Sequence, residues 1–177
     1  MNINSKRMIK QIAAESEAKY KNPDEKFLRV AREVSRLSTC VRFGKRNGAV
    51  IVLDNQIIAT GCNGAPTGIK TCLDRGYCMR KKLNIESGTQ LEVCYALHAE
   101  ETALMNAARE GVILEGSTMY VLRKPCISCL KLILNAGIKK VVYVDSNFDN
   151  EVYKDILNQV DIEFVQIPFK VEDDVWV

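Results

Sequence analysis

HAE at residues 98–100, followed after 24 intervening residues by PCISC at 125–129, brings one imidazole, one carboxylate and two thiols into a short span of chain. Between them lies TMYVL at 118–122, a strand signal flanked by glycine and charge. Two cysteines at i and i+3 fall on one face of a helical turn, where both sulfurs can reach a single ion. Pro125 just before them suits a helix start. The stretch therefore reads as helix, strand, helix, with chemistry at the start of each helix.

Zinc takes nitrogen and thiolate ligands in a tetrahedron, and a catalytic site keeps three protein ligands and leaves the fourth position to water. His98, Cys126 and Cys129 supply those three, and His98 is the sole histidine of the chain. Thiolates in a first turn gain from the positive end of the helix dipole, which favours the deprotonated form that metal binding requires. Glu100 lies two residues from the histidine, about 200° around a helix, so it need not join the coordination shell. It is left free for proton transfer beside a water that zinc makes acidic. A C-x-x-C pair alone also fits a structural zinc knuckle or a redox pair; its conjunction with H-A-E in this order points to hydrolytic deamination.

Working outward, strands should alternate with helices. Asn22-Pro23-Asp24-Glu25 predicts a helix start, with Asn22 as N-cap, Pro23 at the first helical position and Glu25 as capping-box partner. Phe27, Leu28, Ala31, Val34 and Leu37 give a buried stripe running to about Ser38. AVIVL (49–53) and QIIATG (56–61) flank Asp54-Asn55, two residues that tolerate positive φ, and predict a β-hairpin. Helices are expected at 97–110, from Cys126 and at 149–159, and strands at 118–122, 140–144 and 162–167. That alternation implies a sheet covered on both faces. LNIESGTQLE (83–92) reads as an inserted loop. Residues 1–21 suggest a helical extension, and 22–177 a single domain.

Composition narrows the function. A net charge of +3 and 7% aromatic residues suit a small anionic substrate but fall short of the basic, aromatic groove of a nucleic-acid binder. No run of 18 apolar residues and no apolar signal core near the N-terminus appear, so neither membrane nor export is indicated and a cytoplasmic location is expected. Seven cysteines in a reducing compartment read as metal ligands and free thiols rather than disulfides.

H-x-E followed by P-C-x-x-C resembles the signature of the zinc nucleobase deaminases. The resemblance covers roughly residues 25–168 and sharpens toward the deoxycytidylate deaminases, the competence-operon type included. GCNGAPTG (61–68) is similar to their G-Y-N-G-x-P-x-G segment, and AGIKKVVYV (136–144) to their next strand. It implies a three-layer α/β/α fold with a five-stranded mixed sheet, and conversion of dCMP to dUMP and ammonia. Water activated by zinc would attack C4 of cytosine while Glu100 protonates N3 and later the departing amine. The family also suggests a homo-oligomer, with nucleoside triphosphate effectors in some relatives.

The same resemblance assigns further residues. The loop before the first strand and the asparagine of the G-x-N-G segment hold sugar and phosphate, which matches Arg42, Lys45, Arg46 and Asn63; each cation could equally be a solvated surface charge. Ala99, and Phe148 where relatives carry an aromatic beside the pyrimidine, are further substrate-side candidates, Phe148 being equally suited to packing. Cys40, Cys72, Cys78 and Cys94 fall in regions where relatives carry a second, non-catalytic zinc, and TCLDRGYC (71–78) resembles their C-x-D-x-G stretch. Four thiolates would close a structural tetrahedron, with Cys62 as a substitute ligand; cysteine is also a common small core residue. Cys62, Asn47 and Leu122-Arg123-Lys124 depart from the family pattern. Other readings are a tRNA- or DNA-editing deaminase, a nucleoside or free-base deaminase, and a zinc-stabilised protein without catalysis. The last of these has no use for Glu100.

Overall fold

A computed structural model describes residues 22–146 and 150–167; the expected N-terminal extension and Phe148 lie outside them. In chain order the elements are α1 (Glu25–Ser35), β1 (Gly48–Leu53), β2 (Gln56–Cys62), the single-turn helices α2 (Cys72–Arg75) and α3 (Met79–Lys82), α4 (Ala99–Glu110), β3 (Thr118–Arg123), α5 (Ile127–Asn135), β4 (Lys140–Asp145), α6 (Glu151–Asn158) and β5 (Glu163–Gln166). The strands form one mixed sheet in the order β2-β1-β3-β4-β5. β1 runs antiparallel to β2 and β3, while β3, β4 and β5 are parallel.

The central strands β1, β3 and β4 have apolar, buried middles because both faces are covered there. Ala49, Ile51, Met119, Val121, Val141 and Tyr143 point to one side, where α4 brings Ala99, Ala103 and Leu104 and α5 brings Cys129 and Ile133. Val50, Val52, Tyr120 and Val142 point to the other, against Phe27, Leu28 and Ala31 of α1. The hairpin closes as expected, with φ of 49° at Asp54 and 64° at Asn55.

The start of α1 differs from its sequence signal. The helix begins at Glu25 with Asp24 as the N-cap residue, and Asn22 Oδ1 instead accepts the Asp24 N–H at 2.9 Å. Asp24 makes no cap bond because tertiary partners claim its carboxylate: the Tyr120 hydroxyl at 2.7 Å and Lys140 Nζ at 3.0 Å. The helix ends at Ser35, and the chain reaches Ser38 through single turns.

Two contacts bring α4 to the site. A Cβ at Gly61 would collide with the backbone of Ala99, Thr102 and Ala103, so glycine lets β2 lie directly against the first turn of α4. Gly64 and Leu97 exchange backbone hydrogen bonds at 3.3 and 2.9 Å, which pins the residue just before His98 to the G-C-N-G segment.

Candidate metal centre and substrate cavity

His98 is the N-cap of α4 and Cys126 the N-cap of α5, so two helix N-termini converge on one point. Their unpaired N–H groups favour negative charge there. The His98 backbone N–H is held by the Glu101 carboxylate at 2.6 Å and its carbonyl by the Thr102 hydroxyl at 3.0 Å. His98 Nδ1 lies 3.3 Å from Cys129 Sγ and 3.5 Å from Cys126 Sγ. Bond lengths of about 2.0–2.1 Å to nitrogen and 2.3 Å to sulfur at tetrahedral angles give edges of about 3.5 Å. The donor set therefore fits zinc without rearrangement. Among the described residues it is the group of three donors whose ligand atoms all lie within 4.8 Å of one another.

The charges agree with the geometry. The Cys129 thiol's hydrogen bond, then His98, hold Cys126 down to about 4. In turn the hydrogen bond to Cys126, with burial, pushes Cys129 far up. The metal-free pair thus shares one proton between two sulfurs, and the bond to Cys126 lifts His98 to about 9. A dication supplies what the two protons otherwise provide.

Glu100 is 3% exposed, and its Oε2 has no hydrogen-bond partner. Burial, opposed by His98, pushes its carboxyl up to about 7. A buried carboxylate oxygen without a donor is costly. Beside a metal donor set, it suits a water or substrate N–H.

His98, Glu100 and Cys126 line a cavity of about 240 Å³. Among its described lining residues Glu100 is the one carboxylate, and Arg42, Lys45, Arg80, Arg123 and Lys124 are cations. Arg42 and Lys45 bracket the 3₁₀ turn Phe43–Lys45, whose three residues per turn put them on one side. Arg46 lies off that side: its Nε donates to the Cys40 carbonyl at 3.1 Å, and its guanidinium stacks on Phe43 at 4.4 Å. Asn63 and Ala99 also line the cavity. The Asn63 amide is partly committed, accepting from the Asn47 N–H at 2.8 Å and donating to the Lys45 carbonyl at 3.1 Å. It braces the cationic loop.

Three parts of the wall have no counterpart in the sequence reading. The inserted loop turns Ser87, Gly88 and Leu91 into the cavity. Buried Arg80 holds that loop by donating to the Glu86 carbonyl at 2.7 Å and the Gln90 carbonyl at 3.4 Å. Arg123 is the third. The available signals were weak: a Ser-Gly pair in the insertion, and an arginine two residues after Cys78.

Cys40, Cys72 and Cys78 are buried and Cys94 is half-buried. Burial raises the Cys40 and Cys72 thiols; Cys78 and Cys94 raise Cys40 further, and Cys94, Cys40 and Cys78 raise Cys72. Cys40, Cys78 and Cys94 line the same cavity; among the described residues these four do not form a donor group as tight as that of His98. Burial alone acts on Cys62.

A five-stranded sheet between helices, with a His/Cys/Cys donor set and a buried carboxylate where two helices begin, defines a zinc-dependent deaminase fold and site. The family model for the cytidine and deoxycytidylate deaminase zinc-binding region matches residues 21–145, and the chain belongs to that family. It is 39% identical over 128 residues to the deoxycytidylate deaminase of Schizosaccharomyces pombe, a match spanning 72% of this chain and 38% of that protein. Against the deoxycytidylate deaminase of Mycobacterium phage D29 it is 39% identical over 125 residues, 68% of this chain and 92% of the phage protein. The crystal structure of the dCMP deaminase of cyanophage S-TIM5 in complex with dCMP and dUMP superposes with a TM-score of 0.63 at 29% identity, covering 84% of this chain and all of that one. Among the described residues, no helix is long and apolar enough to cross a membrane.

Proposed function

We propose that the protein deaminates dCMP to dUMP. The observation that carries this reading is buried Glu100, one carboxylate oxygen unpaired, lining with His98 and Cys126 a cavity whose other charged side chains are cations. The relatives named deoxycytidylate deaminase support the choice of substrate. His98, Cys126 and Cys129 would hold zinc, which when bound acidifies water and polarises the group it touches. Glu100, with its carboxyl near 7, is placed to carry one proton of the attacking water to the ring nitrogen and then its second to the leaving amine. Arg42 and Lys45 would hold the 5′-phosphate, Arg as a fork and Lys as a point charge.

The test is ammonia release from dCMP, CMP, deoxycytidine, dCTP and a tRNA anticodon stem-loop. The 5′-phosphate should favour dCMP over deoxycytidine by roughly ten- to a hundredfold in kcat/KM, the loss expected when a charge-assisted contact of about 1.5–3 kcal/mol is removed. Arg42→Ala and Lys45→Ala should each narrow that gap. Equal rates for the two wild-type substrates would reject the nucleotide assignment, and turnover of the stem-loop alone would move the protein to RNA editing.

A second, structural zinc on Cys40, Cys72, Cys78 and Cys94 belongs to the same proposal, supported by Cys40, Cys78 and Cys94 lining one cavity and by the pull of this set on the Cys40 and Cys72 thiols. Closing four thiolates on one ion requires the cluster to tighten, which metal binding itself drives. Metal analysis should find two zincs per chain, and Cys72→Ser should leave one and lower the melting temperature. One zinc in metal-replete wild type overturns this part. By the same family resemblance, a cytoplasmic homo-oligomer open to nucleoside triphosphate effectors completes the reading.

A further inference from the structure

The cationic loop is secured through three of its carbonyls. Arg46 Nε reaches Cys40 O at 3.1 Å, Asn63 Nδ2 reaches Lys45 O at 3.1 Å, and Arg123 Nη2 reaches Gly44 O at 2.7 Å. The first two ties come from the loop itself and from the end of β2. Arg123 alone comes from β3, three residues before Cys126. At Gly44 nothing lies within 4 Å of where a side chain would begin, and neighbouring Phe43 is 55% exposed, so packing does little to hold the tip. The Arg123 contact with Asp145, at 3.7 Å between partly exposed side chains, is long for an ion pair and worth little in water. The hydrogen bond to Gly44 is the stronger constraint.

We infer that Arg123 is a positioning residue for the phosphate end of the site, fastening the Arg42–Lys45 turn to the strand that delivers Cys126 and adding positive charge beside those two cations. The inference rests on the nucleotide reading above. Three of the five cations lining the cavity act on one another: burial, then Arg123, then Arg42, push the Lys45 ammonium down from its ordinary value, and Asp145 opposes them only in part. Like charges gathered this way are relieved by an anion between them. A guanidinium suits the dual task because its fork can donate to a carbonyl while its charge stays delocalised and fixed. Arg123 thus ties the turn to the strand that delivers Cys126, while Asn63 ties it toward His98, and a small misplacement of a substrate is expensive in rate.

The experiment measures kcat and KM for dCMP and deoxycytidine with zinc-loaded wild type, Arg123→Ala and Arg123→Lys, alongside zinc content and melting temperature. Arg123→Ala should raise KM for dCMP roughly tenfold or more, with a much smaller change for deoxycytidine, so the preference for the phosphorylated substrate shrinks. Arg123→Lys restores the charge without the fork and should recover part of that preference. Equal losses on both substrates in both variants, or an unchanged preference in Arg123→Ala, overturn the inference. Failure of the underlying reading looks different, since wild type itself would then show no preference for dCMP.

Discussion

Replacing Glu100 with glutamine should leave the zinc content unchanged and cut kcat for dCMP by about 10²–10⁴-fold, the usual contribution of a positioned acid–base group. Glutamine keeps the shape but cannot accept and return a proton, while all three donors remain. The carboxylate is 3% exposed, with one oxygen unpaired, so its neutral replacement should not weaken the fold. The pH dependence gives an independent check on metal-free protein. The folded carboxyl is pushed up to about 7 from an ordinary 4.5. Between those values the folded state keeps a proton that the unfolded chain has released, so wild-type stability falls as pH rises through that window. Glu100→Gln lacks this loss. Its melting temperature should therefore gain on wild type from pH 5 toward 7, and a constant difference would show that Glu100 titrates normally. Wild-type-like turnover in the variant would remove Glu100 from the chemistry altogether.

The sequence exposed those parts of the site that depend on local rules. H-A-E and P-C-I-S-C could be read because an N-cap and a first turn place their side chains whatever the rest of the fold does. Asp54-Asn55 could be read because positive φ in a two-residue turn is a local demand. The cationic loop was half legible: Arg42, Lys45 and Arg46 share a residue class, but only the pitch of the 3₁₀ turn separates the two that line the cavity from the one that binds Cys40 O. Asn22 lost the cap role because Asp24 is drawn to Tyr120 and Lys140, 96 and 116 positions away. Arg80, Arg123 and the Ser87-Gly88 wall escaped for the same reason, since their roles follow from closure of the tertiary structure. A resemblance to relatives could not help with Arg123, which stands where this chain departs from the family pattern.

Cys126→Ala should lose the catalytic zinc, and with it activity, while Glu100→Gln keeps the metal. Two protein ligands, His98 and Cys129, hold zinc far less well than three. The loss is more than one bond, because Cys126 also organises the charge of its neighbours. Its thiolate, held near 4, raises both Cys129 and His98 through hydrogen bonds. In metal-free wild type at pH 7 the protons to be displaced therefore sit on Cys129 and His98 rather than on Cys126. Zinc binding should release about two protons per catalytic site, and affinity should rise with pH as those protons become easier to remove. Calorimetry in buffers of different ionisation enthalpy counts them, using Cys72→Ser protein so that the four-cysteine cluster does not contribute. Release near zero would mean that His98 and the thiol pair are already deprotonated without metal, and retention of zinc at wild-type affinity by Cys126→Ala would show that the ligand set has been misassigned.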